Sequence, residues 1–201
     1  MKLYLTSNGL ESDNVAEYFK NNVLQKNIEA TSFLIVSVQD TESDAFYLQK
    51  TMDELRGVGA VDMDIFELKE ERFDAVKDYD VIYVCGGNTF VYLDRIKKTG
   101  LDRFIIESVN KGSIYVGVSA GSIVVSSSIE LAGLGDGGDI NEIGLEDLSG
   151  LGLHNVMVFP HYSVQDEEMI KEFEKRTGYQ LNRLSDNQAL FVNDGIVSIV
   201  N

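Results

Sequence analysis

The stretch SIYVGVSAGS, residues 113–122, joins an apolar run to a serine flanked by glycines. Ser113–Val118 is rich in Val, Ile and Tyr, which predicts a strand, and Ala120–Ser127 is predicted to be a helix. Between them the letters GVSAG match the G-x-S-x-G elbow, in which a sharp strand-to-helix turn projects the serine hydroxyl at the carboxyl end of a sheet. The stretch therefore predicts an α/β fold and makes Ser119 a candidate nucleophile.

The elbow pattern has a structural alternative, a glycine-rich turn with a buried or capping serine. The strand before it and the helix after it favour the nucleophile. In that geometry the amide of Ala120 lies at a helix N-terminus, where it can donate a hydrogen bond to an oxyanion.

Outward from the elbow, apolar runs alternate with helical patterns. The runs are largely continuous, as expected of strands covered on both faces of a parallel sheet. The predicted strands are Lys2–Thr6, Ser32–Val38, Val61–Phe66, Val81–Cys85 and Ile114–Val118. The predicted helices are Asn14–Lys26, Asp44–Gly57, Phe90–Lys98 and Leu101–Lys111. This alternation predicts a doubly wound, mostly parallel α/β sheet.

The second half of the chain is less regular. Leu131–Gly152 contains seven glycines and many carboxylates, which predicts a long loop. A strand, a helix and a C-terminal hairpin around Asn193-Asp194-Gly195 are predicted after it, at Val156–Phe159, Gln165–Arg176, Gln188–Val192 and Ile196–Val200. No repeat or shift in composition divides the chain, so we expect one domain over residues 1–201.

The net charge of −16 disfavours nucleic acid and anionic membranes as partners. Cys85 is the one cysteine, and no run of residues is apolar and long enough for a signal peptide or a membrane span. These features predict a cytoplasmic protein, and they leave the oligomeric state open between a monomer and a homodimer. The two histidines lack zinc-site spacing, and a calcium site within Asp136–Asp147 would not fit the helix-loop-helix pattern, so we expect neither metal nor cofactor.

A serine nucleophile needs a base, and the chain offers only His154 and His161. His161 follows the predicted strand Val156–Phe159, which would place it at the carboxyl edge near Ser119, whereas His154 precedes that strand. We therefore favour His161, although it could also be a histidine packed on Tyr162.

A third group should orient the imidazole, but with 33 Asp and Glu residues composition cannot choose it. Asp186 stands in the turn before the apolar run Ala189–Val192. It could equally be an ordinary turn aspartate.

A second glycine signal, Cys85-Gly86-Gly87-Asn88-Thr89, lies between a predicted strand and a predicted helix. Adjacent glycines let the backbone approach a ligand, so the N–H of Gly87 or Asn88 could supply a second oxyanion donor. A phosphate cradle is the rival interpretation, but neither of the usual phosphate-loop patterns occurs. Cys85 itself is expected to be a buried strand end rather than a nucleophile.

Four motifs together resemble the dipeptidase E (aspartyl dipeptidase) and cyanophycinase family of serine peptidases. They are Gly86-Gly87-Asn88-Thr89, Gly112–Ser122, Phe159-Pro160-His161-Tyr162 and Leu184-Ser185-Asp186-Asn187-Gln188-Ala189, and the similarity extends over most of the chain.

The resemblance implies a flavodoxin-like fold related to class I glutamine amidotransferases, with serine replacing their cysteine. It implies a metal-free triad in which Ser119 is the nucleophile and His161 the base, with Gly86-Gly87-Asn88 at the oxyanion site. The family's acid is commonly a glutamate where this chain has Asp186. An aspartate after the elbow has also been proposed for this family, and Asp136 is the nearest match.

The implied activity is hydrolysis of small peptides through an acyl-enzyme. Aspartyl dipeptidases need a cationic pocket, for which Arg176 and Arg183 are candidates, whereas cyanophycinases act on an arginine-bearing substrate that the acidic loop Asp136–Asp147 could attract. Another acyl hydrolase, an esterase or amidase, and a non-catalytic binding protein on the same fold remain alternatives.

Overall fold

The computed structural model describes residues 1–69, 71–74, 77–135 and 137–201. The described strands are β1 Lys2–Thr6, β2 Ser32–Ser37, β3 Asp62–Glu67, β4 Val81–Val84, β5 Ile114–Val118, β6 Met157–Phe159, β7 Leu181–Arg183, β8 Ala189–Asn193 and β9 Ile196–Val200. The described α-helices are α1 Asp13–Tyr18, α2 Glu42–Val58, α3 Thr89–Thr99, α4 Leu101–Lys111, α5 Ala120–Val124 and α6 Glu167–Thr177.

Seven strands form one sheet in the order β3-β2-β4-β5-β1-β8-β9. The first five are mutually parallel, and β8 and β9 continue the sheet antiparallel beside β1. The prediction of an α/β fold with a mostly parallel sheet is confirmed. Strands β6 and β7 pair separately as a small parallel sheet, so the predicted strand at Val156–Phe159 is not part of the main sheet.

The continuous apolar runs correspond to the centre of the sheet. Every residue of β4 is buried, as are all but the first residues of β1 and β2. Strand β3 is an edge strand and stays half exposed, one residue displaced from the predicted Val61–Phe66. Burial on both faces thus explains why the central strands lack alternation.

The first predicted helix, Asn14–Lys26, is shorter in the structure. Helix α1 passes into a π-helical segment at Phe19–Val23, and Leu24 is already extended with φ −63° and ψ 143°. Val15, Phe19 and Val23 are buried on its inner face.

The helix predicted at Ala120–Ser127 ends at Val124. Backbone carbonyls at its end accept hydrogen bonds from the glycine-rich loop, with Leu151 N–H donating to Val124 O at 2.8 Å and Leu153 N–H to Val125 O at 3.1 Å. Gly150 packs so closely that a Cβ there would lie 2.2 Å from Ser126 O. The loop therefore replaces the next helical turn.

Helix α2 begins with a capping box between Thr41 and Asp44 and ends at Gly59, whose φ of 106° suits glycine. The stop is thus two residues beyond the predicted Gly57. The C-terminal hairpin is confirmed, with a two-residue turn at Asp194-Gly195 in which both φ angles are positive, 48° and 85°. No described helix is both long and apolar enough to cross a bilayer.

Candidate active site

Three neighbouring parallel strands, β4, β5 and β1, end at the same edge of the sheet. Gly86-Gly87 follows β4, Ser119 follows β5 and Ser7-Asn8-Gly9 follows β1. Carboxyl ends of parallel strands are where open α/β sheets bind ligands, and these three turns line one cavity.

Ser119 occupies the elbow between β5 and α5 with φ 48° and ψ −107°, a region that non-glycine residues rarely adopt. Its N–H donates to Thr6 O at 2.9 Å, which holds the turn against β1. Both flanking glycines are sterically required, because a Cβ on Gly117 would lie 2.5 Å from Gly121 O and one on Gly121 would lie 2.2 Å from Val84 O.

His161 lies beside the elbow, as predicted, with Nε2 3.0 Å from Ser119 Oγ. It follows β6, which belongs to the small sheet, so His161 does not reach Ser119 from an edge shared with the main sheet, as was expected. The backbone of His161 has φ 56°, and its N–H donates to Ser7 Oγ at 3.2 Å. Ser7 in turn donates to Leu184 O at 2.8 Å, and this buried contact fixes the histidine relative to β1 and β7.

Asp186 completes the arrangement directly, with Oδ1 2.6 Å from His161 Nδ1. The turn that carries it is ordered locally, since Ser185 N–H donates to Gln188 Oε1 at 3.0 Å. Because the turn brings the backbone close, aspartate reaches the imidazole without an intervening water.

The sequence offered two other candidates for these roles, His154 for the base and Asp136 for the acid. His154 lies apart from the serine and accepts a hydrogen bond from the N–H of Val156 at its Nδ1, at 3.1 Å. Asp136, the alternative acid, lies outside the described residues, so its role stays a prediction.

The glycine turn after β4 packs beside Ser119. A Cβ on Gly86 would lie 3.4 Å from Ser119 Cβ, and one on Gly87, whose φ is 149°, would lie 2.7 Å from the Tyr92 ring. Tyr92 Oη donates to Gly86 O at 3.0 Å, which fixes that peptide. Asn88 caps α3, its Oδ1 accepting from the N–H of Phe90 at 3.1 Å, so its side chain has a structural task.

The glycine-rich loop contributes a contact that sequence reasoning missed. Asp139 Oδ2 accepts the N–H of Thr89 at 2.8 Å, and Asn88 Nδ2 donates to Ile140 O at 2.9 Å. The loop therefore supports the turn that carries Gly87.

Two cavities flank Ser119 and His161. The smaller, of about 150 Å³, is lined by the glycine-rich loop and Phe159-Pro160. The larger, of about 310 Å³, is lined on one side by α2, through Tyr47, Lys50, Thr51 and Glu54. Sequence reasoning missed this helix face, although the i, i+3, i+4, i+7 spacing of its members is visible in the sequence.

The two arginines considered for a cationic substrate pocket, Arg183 and Arg176, already contact other side chains of the fold. Arg183 forms ion pairs with Glu174 at 2.7 Å and Glu167 at 3.2 Å, and its hydrogen bond to Glu174 lowers the pKa of that carboxyl. Arg176 stacks on Phe173, 5.3 Å from the ring centre.

Cys85 is buried at the end of β4, as expected, and burial raises the pKa of its thiol to about 12. It is therefore a poor nucleophile at neutral pH. Among the described residues no three His, Cys, Asp or Glu side chains are grouped as a metal would require.

A serine, a histidine and a carboxylate in hydrogen-bonding sequence at the carboxyl edge of an α/β sheet define the class of serine hydrolases. Within that class, the chain belongs to Peptidase family S51, which it matches over residues 3–200. It is accordingly a serine-type peptidase, and the resemblance found from its motifs is confirmed.

The relatives agree with this family. An uncharacterized peptidase of Listeria monocytogenes is 27% identical, with 94% of this chain and 93% of the relative covered, and one of Pasteurella multocida is 27% identical, with 96% and 94% covered. Peptidase E of Shewanella amazonensis is 35% identical over 58% of this chain and 47% of its own.

Solved structures show the same fold. The crystal structure of a peptidase from an acI-B1 Actinobacterium superposes with a TM-score of 0.70 at 21% identity, covering 99% of this chain and 86% of the other. A Listeria monocytogenes protein described as a candidate peptidase E superposes with a TM-score of 0.78 at 24% identity, covering 98% and 96%.

Proposed function

We propose that this chain hydrolyses small peptides through a Ser119–His161–Asp186 triad and an acyl-enzyme. The observation that carries the proposal is the unbroken pair of hydrogen bonds, 3.0 Å from Ser119 Oγ to His161 Nε2 and 2.6 Å from His161 Nδ1 to Asp186 Oδ1. A carboxylate on Nδ1 favours the tautomer whose Nε2 is free to accept the serine proton.

In the proposed mechanism Ser119 Oγ attacks the peptide carbonyl as His161 Nε2 takes its proton. His161 then gives that proton to the leaving amine, and the C–N bond breaks to leave an ester on Ser119. A water molecule, deprotonated by the same nitrogen, attacks the ester. The bond between the acyl carbon and Ser119 Oγ then breaks, His161 returns the proton to Ser119 Oγ, and the acid is released. Asp186 stabilises the imidazolium that forms in each half-reaction.

The proposed oxyanion donors are the N–H groups of Ala120 and Gly87. Ala120 is the first residue of α5, so its amide has no acceptor within the helix. Gly86 O accepts a hydrogen bond from Tyr92 Oη. Because the C=O and N–H of a trans peptide point in opposite directions, the N–H of Gly87 points away from Tyr92. Gly86 and Asn88 shape this turn, but neither supplies a side-chain donor to the proposed oxyanion site.

We also infer that residues 1–201 act as one peptidase domain with a flavodoxin-like, glutamine amidotransferase-like topology. If β2 is counted as the first strand, β3 as the second, β4 as the third and β5 as the fourth, their spatial order is 2-1-3-4, as in that fold. Strand β1 takes the fifth position, so the chain enters the sheet beside β5.

The test is covalent labelling together with turnover. A fluorophosphonate should label Ser119 in the native protein, and peptide, ester and amide substrates assayed in parallel should show peptide hydrolysis. Ser119→Ala should lose activity by about four to six orders of magnitude while its circular dichroism and Tm stay near those of the native protein.

Ser127→Ala, an exposed serine just beyond the same helix, is the matched control and should keep full activity. A folded protein that leaves Ser119 unlabelled would favour a non-catalytic binding role. Hydrolysis of esters without peptides would favour the esterase alternative.

A further inference from the structure

The larger cavity beside the nucleophile has one wall made by a helix. Tyr47, Lys50, Thr51 and Glu54 of α2 face it at i, i+3, i+4 and i+7, and Ser119 and His161 lie on the same cavity surface. A substrate bound at the serine would therefore extend a group against α2. This cavity is called the α2 cleft below.

Glu54 is the most buried charge of the α2 cleft, with only 13% of its side chain exposed. Its Oε2 accepts the N–H of Leu10 at 2.8 Å, whereas its Oε1 is buried and has no hydrogen-bond partner among the described residues. Burial raises the pKa of this carboxyl above its ordinary value, because desolvation outweighs the neighbouring cation. A buried carboxylate oxygen without a donor is costly, and a donor from a ligand would relieve that cost.

Lys50 does not supply the missing hydrogen-bond donor to Glu54 Oε1. Its Nζ is bound by Glu11 Oε2 at 2.6 Å and Asn8 Oδ1 at 2.9 Å, and stands 3.7 Å from Glu54 Oε1. The α2 cleft and its rim thus hold two carboxylates and one ammonium, which leaves an excess negative charge. A further cation is favoured there, and a carboxylate would have to displace Glu11 from Lys50.

We infer that the α2 cleft binds a positively charged group of the substrate, an ammonium or a guanidinium, and that Glu54 selects it. The inference rests on the proposed function and names its substrate class: peptides that carry a cation next to the scissile bond. The cation can come from a lysine or arginine side chain or from a free α-amino group, and the experiment separates these two sources.

The measurement is kcat/KM for dipeptides that differ only in charge. Lys-Ala is compared with its uncharged analogue norleucyl-Ala, Ala-Lys with Ala-norleucine, and norleucyl-Ala with its N-acetyl form. The native enzyme should prefer the charged member of at least one pair by about tenfold or more, and Glu54→Gln should reduce that ratio about tenfold. A side-chain pair that responds identifies a basic residue, and the acetylated pair identifies the α-amino group.

Asp53→Asn is the matched control, because Asp53 is the neighbouring acidic residue of α2 but has 62% of its side chain exposed and lies outside the α2 cleft. It should leave all ratios unchanged. A second measurement needs no variant: butylammonium, but not butanol, should slow fluorophosphonate labelling of native Ser119.

Three results would overturn the inference: no charged member is preferred, Asp-Ala is cleaved faster than norleucyl-Ala, or the preference persists in Glu54→Gln. In each of these cases labelled Ser119 and measurable turnover would leave the proposed function intact. Absence of labelling would overturn the proposed function itself, and the inference with it.

Discussion

Backbone strain at single residues is concentrated where the proposed chemistry lies. Among the described residues, the non-glycine positions with positive φ are Ser119, His161 and Asp194, and the first two are hydrogen-bonded to each other. Such conformations cost on the order of 1–3 kcal/mol each and persist only when surrounding contacts enforce them. Thr6 O and Ser7 Oγ provide those contacts from the end of β1.

The two histidines form a natural pair of test variants. His161→Ala should lower kcat by about four orders of magnitude or more, since no other described group contacts Ser119 Oγ as a base. His154→Ala should keep most of the activity, because its ring contacts the backbone of Val156 instead. Steady-state kinetics of both variants checks this, and equal losses would contradict the assignment of His161.

The acid is tested by changing its charge and then its length. Asp186→Asn should lower kcat by about 10⁴-fold, because a neutral amide can hold the imidazole in the wrong tautomer. Asp186→Glu should be less active than the native enzyme, since the carboxylate already lies 2.6 Å from Nδ1 and an added methylene must be accommodated. Kinetics and Ser119 labelling rates measure both, and full activity in Asp186→Asn would point to another carboxylate.

At the scale of elements, the elbow depends on how tightly α5 packs against the ends of β4 and β5. Gly117 and Gly121 are the contact points, where backbone meets backbone rather than side chains. Flexible side chains can move aside, whereas backbone atoms of a central sheet cannot. The glycines of the motif are therefore needed for packing as well as for the turn.

Gly121→Ala should accordingly destabilise the fold by several kcal/mol, because its Cβ would lie 2.2 Å from Val84 O in the centre of the sheet. Gly57→Ala is the opposite case, since nothing lies within 4 Å of its Cβ in the last turn of α2. It should stabilise the protein by up to about 0.5 kcal/mol through helix propensity. Urea unfolding of both variants measures this, and similar stabilities would contradict the packing argument.

At the scale of the whole molecule, the net charge is −16, and arginine side chains form ion pairs with carboxylates that join separate elements. Arg183 joins β7 to α6 through Glu174 and Glu167, and Arg95 joins α3 to Asp40 ahead of α2. Hydrogen bonds from the two arginines lower the pKa of their carboxylate partners.

Stability should therefore fall in acid. A carboxyl with a lowered folded pKa stabilises the fold above its unfolded pKa, about 4.3 for glutamate, and loses that contribution as the pH falls through the folded pKa. Glu174→Gln should cost about 1 kcal/mol at pH 7, after allowance for solvent screening, and the cost should shrink as the pH falls below about 4.

Urea unfolding between pH 3 and pH 7 measures the effect, with the exposed Glu172→Gln of the same helix as control. A cost for Glu174→Gln that did not change with pH would mean that the Arg183 ion pair contributes nothing to acid unfolding.

Much of this architecture could be predicted from the sequence because it is encoded locally. Continuous apolar runs gave the central strands, and the Asp194-Gly195 turn fixed the hairpin register. The elbow was recognisable since strand, glycine-flanked serine and helix follow one another in 117–124. With two histidines in the chain, the choice of base was also narrow.

Other features were decided only by tertiary structure. Helix α5 stops at Val124 because N–H groups of a loop remote in sequence donate to the carbonyls at its end, as Leu151 N–H does to Val124 O. The residues around Asp186 also fit an ordinary turn aspartate, and its contact with His161 exists only because the chain between β7 and β8 lies against that histidine. Glu54 and Lys50 face Ser119 because β1, β4 and β5 are neighbours in the sheet and α2 packs over their ends. Local pattern reports the conformation of neighbouring residues, but the distance between residues remote in sequence depends on strand order and on packing of the complete chain.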